Sequence, residues 1–148
     1  MKHDIKSLTR AEIAELVKEL GQPSFRAKQL TQWLYGHHAR SYDDMTNLPT
    51  ELRQQLAEDH PLISGSMINR QVSSDGTRKY VIEFPDGARV ETVTMPSRST
   101  DGSAKLSICF STQAGCPMEC SFCATGKGGF TRNLTIGEII DQIVIAQT

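Results

Sequence analysis

Three Asp-Gly pairs punctuate the middle of this chain: Asp75-Gly76, Asp86-Gly87 and Asp101-Gly102. Asp-Gly supplies the positive φ that tight hairpins need, and it is a strong hairpin signal where alternating residues flank it. Here they do. Tyr80, Ile82 and Phe84 alternate before the second pair, Val90 to Met95 after it, and Leu106, Ile108 and Phe110 after the third. The pattern predicts strands at 66–73, 78–84, 88–95 and 104–110, joined as an antiparallel β-meander.

Before Pro61 the pattern is helical. Thr9 and Glu12 form a T-x-x-E capping box, followed by Ile13, Leu16, Val17 and Leu20 at helical spacing and by Gly21 as the stop. Ser24 is placed to cap a second helix carrying Ala27, Leu30, Trp33 and Leu34 and closing near Gly36. Pro49, at a first helical position, opens a third through Leu52 and Leu56. Thr135 and Glu138 make another capping box, ahead of Ile139, Ile140, Ile143 and Val144. The apolar face of that last helix needs a partner, either the rest of a larger domain or the preceding meander, and the first is expected. The segments are therefore a helical accessory domain at 1–60, a β-meander or connecting segment at 61–100, and the start of a further core at 101–148.

Composition narrows the function classes. At 38% hydrophobic and 22% charged residues the chain has material for packed cores. Sixteen Lys and Arg against 17 Asp and Glu give a net charge of −1, so no global field points to nucleic acid or an anionic membrane. The charged N-terminus has no signal-peptide pattern, and no apolar run reaches the ~18 residues of a membrane span. The expectation is a cytoplasmic chain without a membrane partner.

Three of the four cysteines lie together as Cys116-Pro-Met-Glu-Cys120-Ser-Phe-Cys123, a C-x3-C-x2-C spacing. In a reducing compartment, clustered thiols point to metal or redox chemistry rather than disulfides. Three local thiolates leave one iron of a four-iron cluster open, and an open position is the mark of a catalytic centre. A structural zinc site would need a fourth ligand from distant His37, His38 or His60. Gly126-Lys127-Gly128-Gly129 is not a phosphate loop, because that motif needs Gly at 121 and Ser or Thr at 128, where Ser121 and Gly128 stand. Trp33 and Tyr35 are either base-stacking or core aromatics.

The C-x3-C-x-aromatic-C spacing resembles the signature of radical S-adenosylmethionine (SAM) enzymes. QLTQWLY at 29–35, VETV at 90–93, CFSTQAGCPMECSFCATG at 109–126 and GFTRNLT at 129–135 resemble the RlmN family. The resemblance implies an α/β fold: a small N-terminal helical domain plus β-meander, then the first βα unit of a partial (β/α) radical SAM barrel. It implies methylation of carbon 2 of adenine in 23S rRNA and tRNA, through a methyl-cysteine near the family's C-terminus that this chain does not contain. The 148 residues alone are accordingly expected to be inactive. The implied cofactors are a 4Fe-4S cluster and SAM, and the implied electron donor is a flavodoxin or ferredoxin.

By the same resemblance Cys116, Cys120 and Cys123 match the cluster ligands, Phe122 the position near the SAM adenine, Glu91 the proton acceptor, and Cys109 the resolving cysteine of a transient disulfide. Read from the residues alone, Glu91 shares a strand face with Val93 and Met95, where desolvation would raise its pKa, but also with Arg89, which could simply pair with it. Cys109 is out of phase with Leu106, Ile108 and Phe110 at a strand end, or is a packed half-buried thiol. Two other functions stay open: a carbon-8 adenine methyltransferase of the Cfr type, and a non-catalytic zinc-binding RNA-interaction module.

Overall fold

In the computed structural model, which describes residues 4–62 and 65–147, the first capping box opens helix α1 (Arg10–Glu19). Thr9 N–H donates to Glu12 Oε2 at 2.7 Å, and Glu12 N–H donates back to Thr9 Oγ1 at 3.2 Å. Gly21, at φ 66°, ends the helix: its N–H reaches the Lys18 carbonyl while Gln22 N–H reaches that of Val17, a Schellman closure. Helix α2 (Phe25–Tyr35) follows, but Ser24 does not cap it through its hydroxyl. Ser24 is already helical (φ −56°, ψ −30°), which turns the side chain away from the free N–H groups. Pro49 likewise stands one position outside helix α3 (Thr50–Asp59); its ψ of 142° is extended, and its carbonyl accepts the first helical bond from Arg53.

These helices and two 3-10 turns, Ile5–Ser7 and Tyr42–Asp44, close around Ile5, Ile13, Leu30, Leu34, Met45 and Leu56. Trp33 and Tyr35 pack at the edge of that core. Trp33 Nε1–H donates to Asn47 Oδ1, and the Tyr35 hydroxyl donates to the Lys6 carbonyl at 3.3 Å. Both aromatics are thus structural in their contacts. This is one of two compact units, Met1–Ser64; the other is Gly65–Thr148.

The second unit begins with the meander. Strands β1 (Ser66–Val72), β2 (Arg78–Glu83), β3 (Arg89–Arg98) and β4 (Ala104–Cys109) pair antiparallel in sequence order. All three Asp-Gly pairs close the same kind of hairpin. The loops are Ser74-Asp75-Gly76, Pro85-Asp86-Gly87 and Thr100-Asp101-Gly102, with the glycines at φ 86°, 83° and 81°. In each, the Asp carboxylate accepts the N–H two residues on. Asp-Gly here builds three-residue loops with a left-handed glycine at the third position.

The segment after β4 elaborates the expected βα unit with a small hairpin. A short strand β5 (Gln113–Gly115) leads into the cysteine segment; helix α4 (Ala124–Lys127) and strand β6 (Phe130–Asn133) leave it, and β6 pairs antiparallel with β5. Every strand pair among the described residues is antiparallel. The cysteines therefore sit on a hairpin excursion inserted between β4 and the last helix.

The last helix, α5 (Ile136–Gln147), also differs from expectation: it lies on the meander. Its buried residues include Glu138, Asp141 and Gln142 beside Val144, Ile145 and Ala146, while Ile140 and Ile143 are half-buried and half-buried Ile139 packs against the same core. Opposite the helix stand Tyr80, Ile82 and Phe84 of the β2 hairpin and Val90, Thr92 and Thr94 of β3. Polar partners, Thr92 above all, let Gln142 and its polar neighbours turn inward beside the apolar residues. No helix of the described residues is long and apolar enough to cross a membrane.

Candidate metal centre and cleft

The three cysteines of the loop arise between two glycines in left-handed backbone, Gly115 (φ 77°) and Gly129 (φ 73°). Cys116 N–H closes the base of the loop by donating to the Gly129 carbonyl at 3.0 Å. At the far side Cys123 precedes α4, and the backbone N–H groups of Gly126 and then Thr125 hold its thiol below the ordinary cysteine value. Cys116, Cys120 and Cys123 are half-buried free thiols. Among the described residues they are not drawn into a metal-holding group. The donor set nonetheless fits a soft metal centre: three thiols on one short loop, one of them with its pKa lowered by backbone N–H groups. Phe122 is 89% exposed, so nothing in the unit packs against its ring.

Alternate residues of β3 point to opposite faces of the sheet, and Glu91 falls on the face away from α5. Glu91 is therefore not enclosed by apolar side chains: its side chain is 58% exposed. Nor does Arg89 pair with it. Arg89 Nε binds Glu83 at 2.6 Å, and Lys79 Nζ stands 3.1 Å from Glu91 Oε1. Cys109 lies opposite Val93 in the β3–β4 register, so it shares the face of Glu91. It is exposed, which leaves the packed-thiol reading without support.

A cleft of about 690 Å³ brings part of this set together. Its walls include Ala88 to Glu91, Ser111 and Gln113 to Gly115 before the cysteines, and Ala124, Thr125, Gly128 and Gly129 after them. Glu91 thus opens onto the same space as both ends of the cysteine loop.

Two polar clusters that sequence reading missed hold this cleft in shape. Arg132 of β6 makes a two-point ion pair with Glu138, at 2.7 and 2.8 Å, and binds Asp86 of the second hairpin loop at 2.6 Å. Burial pushes the Glu138 carboxyl up, but Arg132 and the Thr135 N–H outweigh it and hold the group below its usual range. The same carboxylate completes the capping box with Thr135. The second cluster centres on Gln142, whose amide reaches Thr92 and Ser111. Only one signal in the sequence marked either: charged and amide residues one helical turn apart inside an otherwise apolar helix.

Glu138→Gln is expected to cost about 2–3 kcal/mol at pH 7, because Arg132 loses its two-point partner. A carboxyl with a folded pKa below its unfolded one contributes stability at neutral pH and loses it as pH falls through the folded value. The gap between wild type and variant should thus shrink below about pH 4. Urea melts at pH 7 and pH 3 check this; an equal gap at both would show that the ion pair is not its source.

Residues 3–61 match the family described as ribosomal RNA large subunit methyltransferase N-terminal domain. The dual-specificity RNA methyltransferase RlmN of Nitratidesulfovibrio vulgaris strain DP4 is 46% identical over 97% of this chain and 40% of its own length. The chain is thus similar to proteins named RlmN over nearly its whole length. The RlmN of Psychrobacter arcticus is 39% identical over 98% of the chain and 36% of its own length. A solved radical SAM methyltransferase from Sphaerobacter thermophilus superposes with a TM-score of 0.84 at 41% identity, across 97% of this chain and 41% of that one. The chain therefore spans about 40% of the length of the curated RlmN relatives it matches.

Proposed function

We propose that this chain forms the N-terminal part of a cytoplasmic radical SAM methyltransferase that methylates carbon 2 of adenine in 23S rRNA and tRNA. The observation that supports the reading is the cleft that joins Glu91 to both ends of the loop bearing Cys116, Cys120 and Cys123. In this reading residues 1–60 are an accessory domain, 61–100 connect it, and 101–148 open the partial (β/α) barrel. Cys116, Cys120 and Cys123 would hold a 4Fe-4S cluster, and Phe122 would lie near the SAM adenine. Cluster and SAM together supply one-electron chemistry able to functionalise an aromatic carbon, fed by a flavodoxin- or ferredoxin-type donor.

The chain's own residues have distinct tasks. Glu91, open to solvent at the cleft, takes the proton from the adenine carbon. Its carboxylate has the reach for this because it is not packed against the sheet. Cys109, exposed and on the same face, attacks the sulfur of the C-terminal cysteine that joins protein to RNA. A disulfide forms, the carbon–sulfur bond breaks, and its electron pair stays with the RNA carbon, which takes a proton.

The test uses the protein at the family's full length. Cys109→Ala should retain cluster absorption but stall with RNA attached to protein, seen as a nuclease-sensitive upward shift on a denaturing gel. Cys120→Ala should trap no RNA. Methylation by Cys109→Ala at the wild-type rate would remove Cys109 from the reaction. Nucleoside analysis by mass spectrometry distinguishes carbon-2 from carbon-8 methyladenine, and metal analysis distinguishes iron with sulfide from zinc alone.

A further inference from the structure

We propose that Gln142 is a positioning residue: its side-chain amide stands in for a missing β-strand partner at Ser111 and sets the entry of the cysteine loop. Strand β4 ends at Cys109 and β5 begins at Gln113, so the backbone between them has left the β3 ladder and not yet joined β6. Gln142 fills that gap. Its Oε1 accepts the Ser111 N–H at 2.9 Å, and its Nε2–H donates to the carbonyl of the same residue at 2.9 Å. This two-point pairing with one residue's N–H and C=O is what an antiparallel neighbour would provide.

The remaining valences of the amide are also used. Oε1 accepts the Thr92 hydroxyl at 2.9 Å, and Nε2–H reaches the Glu138 carbonyl at 3.4 Å. Gln142 is 0% exposed; its bonds to Thr92 and Glu138 are buried and those to Ser111 part-buried, so an unmet partner on the amide is costly. Asn would be one methylene too short for this reach from α5, and a hydrocarbon would strand Thr92 and both backbone groups of Ser111. Ser111 passes the constraint on: its hydroxyl donates to the Glu91 carbonyl at 2.9 Å. One buried amide therefore ties α5, the centre of β3 and, through Ser111, the Glu91 backbone and the path into Cys116. Its consequence for metal binding rests on the reading of the cysteines as ligands; the clamp itself does not.

Two readouts on the 148-residue chain keep these apart. The first is amide hydrogen exchange by NMR. In the wild type, Ser111 N–H should be protected about 100-fold or more over an open loop. An unprotected Ser111 N–H overturns the clamp without any variant, and so decides the matter even if variants fail to fold. In Gln142→Met, exchange at Ser111 and through 113–116 should rise about tenfold or more, with Tyr80 to Ile82 within about twofold of wild type. Thr92→Val, which does not touch Ser111, should leave 111–116 unchanged. No acceleration, or an equal rise across β2, overturns the proposal.

The second readout is anaerobic titration with Co²⁺ alone, followed by thiolate-to-cobalt absorption. Gln142→Met should weaken apparent Co²⁺ affinity about tenfold. Faster exchange at 111–116 with unchanged Co²⁺ affinity would make Gln142 a packing residue only, against the proposal. Absence of a thiolate–cobalt band in the wild type would instead refute the ligand role of the cysteines, leaving the clamp to be decided by exchange.

Discussion

Replacing Cys116, Cys120 or Cys123 with Ala is expected to take anaerobically reconstituted protein from about four irons and four sulfides per chain to near none. The expectation follows from the count of ligands. Three thiolates on one loop are the whole local donor set, and removing any one leaves two, too few to retain a cluster. Cys109 is outside that set: it lies at the end of β4, before the hairpin that carries the other three. Cys109→Ala should therefore keep its iron and serves as the control for loss of a thiol as such. Iron and sulfide assays with the visible absorption of the brown protein check the series. Stoichiometric zinc with no iron uptake by the wild type would refute it and favour a zinc-binding module. The loop is suited to close on a metal because Cys123 already carries two backbone N–H contacts that favour thiolate, so little reorganisation of that ligand is needed.

The elements legible in the sequence were those fixed by local chemistry. The Thr9–Glu12 and Thr135–Glu138 boxes and the Gly21 stop need only residues three or four apart, and each forms as its pattern predicts. The three Asp-Gly pairs fixed the four meander strands to within a few residues for the same reason. What failed depends on contacts distant in sequence. Strands β5 and β6 have three and four residues, too short for alternation to register, and they exist because each pairs with the other across the cysteine loop.

The reading of α5 was incomplete in a more instructive way. Ile139, Ile140, Ile143 and Val144 marked an apolar face, of which Val144 is buried and Ile139 packs on the core, but Glu138, Asp141 and Gln142 are buried as well. A polar face turns inward only if the opposing surface holds partners, and those partners are Arg132, Thr92 and Ser111. No periodicity within the helix contains that information. Glu91 shows the converse: alternation placed it on one face with Val93 and Met95, which is correct, but an apolar neighbour on a strand does not make a face buried. The spacing of Cys116, Cys120 and Cys123 was the most direct signal of the site, because a chelating loop must be local to work.

Gly115→Ala is expected to disrupt the hairpin that presents the cysteines, with a loss of about 3 kcal/mol or more in the stability of that segment. Two causes add. Gly115 has a φ of 77°, which an alanine adopts only at a cost of about 1–2 kcal/mol. A Cβ on Gly115 would also fall inside contact distance of the Gly129 carbonyl oxygen and crowd the Phe130 backbone. Those atoms are main chain, so no side-chain rotation relieves the overlap. The Gly129 carbonyl is moreover the acceptor for Cys116 N–H, the bond that closes the loop, so moving it aside opens the base of the cysteine hairpin. Gly129→Ala is the matched control: its φ is 73°, yet no atom lies near the position its Cβ would take. It should cost only the backbone term of about 1–2 kcal/mol. Hydrogen exchange of Cys116 N–H and thiolate–cobalt absorption read the difference directly. In Gly115→Ala the Cys116 amide should lose its protection and the cobalt band should weaken severely, while Gly129→Ala should retain most of both. Equal behaviour of the two variants would mean that left-handed backbone alone shapes the loop, and that the close approach of Gly115 to Gly129 does not hold the cysteines in place.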